Sequence, residues 1–334
     1  MRHGLSANTQ DAYTTGRRQW LGFRRNTVPG RALLEPGEEA TWALMCFVSH
    51  LSLRLRHGTI KGYLAAVRNF HVVQGAADPM LGCERLRLQL RGIRREQGDK
   101  RLFMKPVTPA MLRWAKAHLF KDLQRSQFQR TLWAALLAAF FGLLRNSEYT
   151  PKGATPFDPV RQVTGGDCLL VERPRARSFA VLFISRSKAD VFGQGQTVTL
   201  GATGGPLCPY AALKAMKEGQ PSGLPVGSPL FWTARGALQR EDIVQAVKQM
   251  ATGTGRNASE YSTHSLRRGG ASALWAQGFS RAQIQVIGRW RSDCWKLYIS
   301  TPVGSWAEAA ARMATATVDG SDVVHRSDWG SSVA

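Results

Sequence analysis

From residue 8 to about residue 97 the apolar positions recur every three or four residues, the spacing of helices that bury one face, and polar breaks divide the stretch into four helices. The first opens with Asn8 or Thr9 as N-cap and sets Tyr13, Trp20, Leu21 and Phe23 along one side. The second covers roughly 39 to 55, with Trp42, Met45, Cys46 and Val48 buried. The third runs from Thr59 through Ile60, Tyr63, Leu64, Val67 and Phe70 to Val73. In the fourth, near 84 to 95, Leu86, Leu88, Leu90 and Ile93 are interleaved with Arg85, Arg87, Arg91, Arg94 and Arg95, which predicts one packed and one cationic face.

Glycine, proline and polar residues interrupt the periodicity over 99–107, the expected linker. A cap and first-turn proline, Thr108-Pro109, then start a helix reaching His118. The apolar run 131–144 is shorter than the roughly 20 residues a membrane span needs, so it reads as a core helix, ending near Arg145. Between 167 and 200 the texture turns to strands at 168–171, 179–185 and 197–200, separated by Gly and Pro. Helices follow near 209–217, 240–250, 265–277, 280–287, 294–299 and 305–313. The expected fold is mainly α with a small antiparallel β-sheet: an all-α N-terminal domain at 1–98, the linker 99–107, an α+β domain at 108–314 and a weakly patterned tail at 315–334.

Composition narrows the class of partner. The chain has 334 residues, 43% hydrophobic and 20% charged, enough for two globular domains. A net charge of +22 favours a polyanion, nucleic acid before an acidic membrane. Cys46, Cys83, Cys168, Cys208 and Cys294 stand singly, without zinc-ligand spacing, and the first ten residues lack the apolar stretch of a secretory signal. Reduced thiols and an intracellular protein are expected, in the nucleus of a eukaryote or otherwise the cytoplasm. With no GxxxxGK(S/T) loop and no carboxylate cluster for paired magnesium ions, no cofactor or metal is expected.

Three short stretches carry chemistry. His264 and Arg267 lie three residues apart, on one face of a helix, where an imidazole can carry a proton and a guanidinium can donate paired hydrogen bonds to phosphate. Alone, the pair is equally a helix-start histidine beside a solvated arginine. Arg145 precedes Glu148 by three residues, an ordinary i,i+3 pair that can also orient the arginine. Tyr298 is a phenol of ordinary pKa about 10, a poor nucleophile unless cations and a proton acceptor surround it.

In this order the motifs resemble those of the tyrosine recombinase (phage integrase) family, over nearly the whole chain. Arg145 and Glu148 match its first box, Ser187-Lys188-Ala189-Asp190 its β-turn lysine, His264 and Arg267 its HxxR box, Gly288-Arg289-Trp290 its His/Trp position and Tyr298 its nucleophile. Gly58-Thr59-Ile60-Lys61-Gly62-Tyr63 and Gly92-Ile93-Arg94-Arg95 are similar in texture to its helical core-binding domain. The wording Arg-Arg-Gly-Gly-Ala-Ser is similar to enzymes of eukaryotic crypton and DIRS mobile elements. Arg289 stands nine residues before Tyr298, where many members have His or Trp, and Trp290 eight. Trp290 is preferred because an indole N–H can donate to phosphate and pack beside the tyrosine; Arg289 is the alternative.

The resemblance implies DNA strand cutting and rejoining through a 3′-phosphotyrosyl link. Arg145, Arg267, His264 and Trp290 would cradle the phosphate, Lys188 would protonate the 5′-oxygen, His264 would take the phenolic proton and Glu148 would position Arg145 or His264. It also implies double-stranded DNA as partner and a homo-oligomer, a dimer on a site and a tetramer in synapsis, with helix 305–313 exchanged between neighbours. From the cations themselves, Arg24, Arg25, Lys61, Arg68, Arg91, Arg94 and Arg95, with Arg54 and Arg56, are expected to hold DNA phosphates. A type IB topoisomerase and a DNA-binding protein that has lost catalysis are the competing expectations.

Overall fold

The computed structural model describes residues 7–98, 104–153, 155–187, 190 and 193–299. They form two compact units, 1–102 and 103–334, whose boundary falls inside the expected linker. The tail and the expected helix at 305–313 lie outside the described residues.

The first unit is built from α1 (Ala7–Asn26), α2 (Glu38–Ser52), α3 (His57–Val73) and α4 (Glu84–Gln97). Its core is aromatic: Trp20 meets Phe47 edge-on at 5.2 Å, and Phe23 lies 5.2 Å from the same ring. Trp20 also donates its indole N–H to the Ala32 carbonyl at 2.8 Å, fixing the loop after α1. His71 is fully buried yet satisfied, with Nδ1 against the Val67 carbonyl at 2.8 Å and Nε2 accepting the Leu34 amide at 3.1 Å. Three expectations are corrected here. Helix α1 begins at Ala7, so Asn8 lies inside it. Trp42 is 53% exposed and Leu88 61%, because the buried face of α2 centres on Leu44 and Leu51 and that of α4 on Leu86 and Ile93, and each of the two lies on the opposite side of its helix.

In the second unit α5 (Pro109–His118) is capped by Thr108, whose Oγ1 accepts the Met111 amide at 3.2 Å. Helix α6 (Gln127–Phe141), capped by Ser126, is buried on every side from Thr131 to Phe140, as a helix without a polar stripe must be. It ends at Phe141, not at Arg145; Arg145 instead precedes a one-turn helix, α7 (Asn146–Tyr149). Strands β1 (Cys168–Val171), β2 (Phe179–Ile184) and β3 (Gln196–Gly201) form an antiparallel meander with Cys168 opposite Leu182 and Ala180 opposite Leu200. Alternate residues Ala180, Leu182, Ile184, Val198 and Leu200 enter the core. After α8 (Pro209–Glu218) comes a hairpin of two-residue strands, β4 (Trp232–Thr233) and β5 (Gly236–Ala237), too short to show as an alternating pattern in the sequence.

Helices α9 (Arg240–Gly253), α10 (His264–Ala276) and α11 (Arg281–Ile287) complete the unit. The segment before Tyr298, expected as an α-helix, is the 3-10 helix Asp293–Leu297. It packs with Leu143, Ala271, Ile284 and Trp290 in a small apolar cluster through the buried Trp295. Helix α10 crosses α6 at the pair Gly269-Gly270, where an added Cβ would stand 2.0 Å from the Val107 carbonyl oxygen or 2.1 Å from that of Phe140. Gly270→Ala is therefore expected to destabilise the second unit by about 1–3 kcal/mol through overpacking against backbone, read as a lower denaturation midpoint.

Candidate active site

After α6 the chain reverses through Gly142, Leu143 and Leu144, with Leu143 in the left-handed region at φ 49°. Arg289, just past α11, is left-handed too, at φ 56°. Among the described residues these are the two non-glycine positions with positive φ, a conformation that costs energy in a residue carrying a side chain. Both lie at one place. The turn at Leu143 presents carbonyls at the C-terminal, negative end of α6, and two guanidinium groups take them. Arg289 donates Nη1 to the Gly142 carbonyl at 3.0 Å and Nη2 to that of Leu143 at 3.3 Å. Arg267 donates Nη1 to the same Leu143 carbonyl and Nη2 to that of Gly288.

One carboxylate ties the cluster together. Glu148, 1% exposed at the end of α7's first turn, accepts from Arg145 Nη1 at 2.9 Å, from the Arg145 amide at 2.9 Å and from Arg289 Nη2 at 2.8 Å. Arg145 Nη2 also reaches the Arg289 carbonyl at 3.4 Å. Two guanidinium groups thus share one carboxylate and that of Arg267 stands beside them, leaving positive charge in excess. Burial, followed by the nearness of Arg145 and Arg289, holds Arg267 below the usual arginine range, while Glu148 and Tyr298 act in the opposite sense. Burial likewise lowers Arg289, with Glu148 opposing. The Nε atoms of Arg267 and Arg289 are buried without a hydrogen-bond partner. Such a cluster favours an anion.

Aromatic rings cover it. The Arg267 guanidinium carbon lies 4.3 Å from the centroid of Trp290 and 5.6 Å from that of Tyr298, and the two rings are 5.1 Å apart. Arg267 is consequently 1% exposed. Trp290 folds back over Gly288, where any Cβ would sit 1.7 Å from the indole, so only glycine fits. Of the two residues considered for the His/Trp position, Trp290 faces Tyr298, while Arg289 turns inward to Glu148 and the α6 carbonyls. Sequence reasoning missed the part Arg289 plays in the ion cluster; its signal in the sequence is a third arginine with one buried glutamate to share.

The structure therefore brings Arg145, Glu148, Arg267, Trp290 and Tyr298 together, from the α6–α7 turn, α10, the turn after α11 and the end of the 3-10 helix. His264 is the exposed first residue of α10, one turn before Arg267. Glu148 contacts Arg145 and Arg289. Lys188 lies outside the described residues; Asp190 accepts the amides of Gly195 at 2.8 Å and Gln194 at 3.1 Å, which hold its carboxyl below the usual range. Among the described residues no group of three or more His, Cys, Asp or Glu could hold a metal ion.

In the first unit Arg25, Lys61, Arg68, Arg91, Arg94 and Arg95 are exposed. Arg68 pairs with Asp78 at 2.8 Å. Arg24 is a correction: it is 4% exposed, stacked 5.7 Å from the Trp20 ring and bonded through Nε to the Arg31 carbonyl at 2.9 Å. Its guanidinium braces the loop after α1 and is not offered to a phosphate.

This architecture is similar to that of solved integrase and recombinase structures. No protein-family model matches the chain, and no curated protein does either. Solved structures do. The Tn1549 transposon integrase in complex with transposon right end DNA aligns with a TM-score of 0.56 and 13% identity over 94% of this chain and 95% of that one. The same integrase with circular intermediate DNA gives 0.57 and 13%, over 92% and 94%. The XerH site-specific recombinase, in a post-cleavage complex with a palindromic difH substrate, gives 0.58 and 13%, over 91% of this chain and 79% of that one.

Glu148→Ala would leave the buried Arg289 and the partly buried Arg145 guanidinium groups without their carboxylate. The expected cost is about 3–5 kcal/mol of second-unit stability, measured by chemical denaturation, because an unpaired buried charge is penalised more than the pair was worth.

Proposed function

We propose that the protein is a site-specific DNA recombinase or integrase that cuts and rejoins strands through a phosphotyrosyl link. The observation that carries this reading is the cation-rich cluster in which Arg145 and Arg289 share one glutamate and Arg267, bonded to the same Leu143 carbonyl as Arg289, lies 5.6 Å from the ring of Tyr298. A fold shared with the Tn1549 integrase and XerH supports it.

In the reaction the Tyr298 oxygen attacks the scissile phosphorus, and the bond from phosphorus to the 5′-oxygen breaks. The phenolic proton passes to His264, and the departing 5′-oxygen takes a proton from Lys188. Arg145 and Arg267 stabilise the charge that builds on the non-bridging oxygens, and Trp290 donates its indole N–H. Because Trp290 and Tyr298 cover Arg267 in this structure, a phosphate reaches that guanidinium only where the aromatic pair stands aside. Glu148 stays out of the reaction, since a free carboxylate beside the phosphate would repel it; its two arginine partners already occupy it. The phosphotyrosine conserves the energy of the broken bond, so a second 5′-hydroxyl can reverse the steps on a new partner strand.

The exposed Arg25, Lys61, Arg68, Arg91, Arg94 and Arg95 of the first unit hold DNA through phosphates. A homo-oligomer, with two copies on a site and four in synapsis, is the assembly that the recombinase reading implies, since exchange needs the strands of two sites held together.

Incubation with a pool of nicked duplexes of randomised sequence should give a covalent adduct stable to denaturant, undiminished by a chelator and absent with Tyr298→Phe. An adduct that persists in that variant, or none with the unaltered protein, sinks the reading. Separately, replacing Arg91, Arg94 and Arg95 by alanine should flatten the dependence of log affinity on log salt by about 0.9 for each phosphate no longer neutralised, in a binding titration against duplex DNA.

A further inference from the structure

Helix α10 carries a second row of contacts that the proposed reaction does not use. Arg268, Ser272 and Trp275 fall at i, i+4 and i+7, one stripe of the helix, adjacent to the one bearing His264 and Arg267. All three touch the segment that ends in Tyr298. Arg268 donates Nη1 to the Leu297 carbonyl, Ser272 donates its hydroxyl to the Tyr298 carbonyl at 3.3 Å, and the Trp275 ring lies 6.5 Å from that of Trp295.

These carbonyls need such partners. A 3-10 helix as short as Asp293–Leu297 has poor internal hydrogen-bond geometry, and the last carbonyls of a helix have no partner within it. The Tyr298 amide closes the 3-10 turn on the Trp295 carbonyl at 2.9 Å, and among the described residues the side chains bonded to the Leu297 and Tyr298 carbonyls are those from α10. We propose that Arg268 and Ser272 are positioning residues that latch the backbone of Leu297 and Tyr298 to α10, fixing the nucleophile relative to Arg267 on the same helix. The proposal rests on the recombinase reading for its catalytic consequence and on geometry alone for the latch.

The effect on rate follows from how steeply transfer depends on placement, about a hundredfold for an ångström. Because neither side chain is assigned to the phosphate, DNA affinity should hardly change. Lysine at position 268 keeps a donor and a charge but loses the planar fork, so it should recover only part of the loss. Ser272 supplies a single neutral bond, and its removal should cost less.

Two measurements on the full chain test this. In amide hydrogen exchange, Arg268→Met should raise exchange across 293–298 and leave α6 unchanged; equal protection in both proteins would overturn the latch. In single-turnover adduct formation at saturating nicked duplex, selected from the randomised pool, Arg268→Met should be slower by roughly 10- to 100-fold with Kd within about twofold, Arg268→Lys intermediate, and Ser272→Ala slower by a few fold. An unchanged rate, or a loss confined to Kd, would overturn the positioning role and mark Arg268 as a DNA contact. Absence of adduct from the unaltered protein would remove the recombinase reading and the positioning role with it, while the exchange result would still decide the latch.

Discussion

The site depends on Glu148. Three guanidinium groups drawn from separate stretches of chain repel one another strongly once water is excluded, and a single buried carboxylate shared by Arg145 and Arg289 is what lets them gather. Its own position comes from α7, whose first turn it closes by accepting the Arg145 amide. The negative end of α6 supplies the rest of the attraction through the carbonyls of Gly142 and Leu143. The balance is incomplete: enough to fold, and short of neutral by an amount that a phosphate can supply.

Around that cluster the second unit is arranged so that one helix serves two purposes. Gly269 and Gly270 bring α10 into backbone contact with α6 and the segment at Val107, which delivers Arg267 to the α6 carbonyls. The neighbouring stripe of α10 faces the 3-10 helix that ends in Tyr298. Cation and phenol are therefore referenced to the same rigid element, and Trp290 fills the space between them because Gly288 lets the indole fold back. Rigid support of this kind is what a transfer reaction needs when its catalysts arrive from far apart in the chain.

Much of this is legible in the sequence, for identifiable reasons. Long apolar periodicities mark α6 and the four helices of the first unit, and β-branched and aromatic runs mark the meander, since burial of one face writes itself directly into spacing. The motif order singles out Arg145, Arg267 and Tyr298. What is not legible turns on choices that composition leaves degenerate. Arginine and tryptophan at 289 and 290 can each donate to phosphate; the left-handed backbone at Arg289, invisible in the sequence, turns one inward and the other toward Tyr298. Arg24 looks like any other cation, yet the Trp20 ring and the Arg31 carbonyl claim it. Trp42 is apolar yet stands on the outward side of its helix, opposite Leu44 and Leu51, and an aromatic residue by itself does not say which side is core.

The left-handed backbone at Leu143 and Arg289 bears on which residue can stand at each position. Glycine at either position would relax the chain, but at 289 it would also delete a guanidinium from the ion cluster, and at 143 a side chain from the small apolar cluster beneath Trp290. Packing at Leu143 and charge pairing at Arg289 thus outweigh the strain of the backbone, which keeps a side chain at two places where the main chain alone would favour glycine.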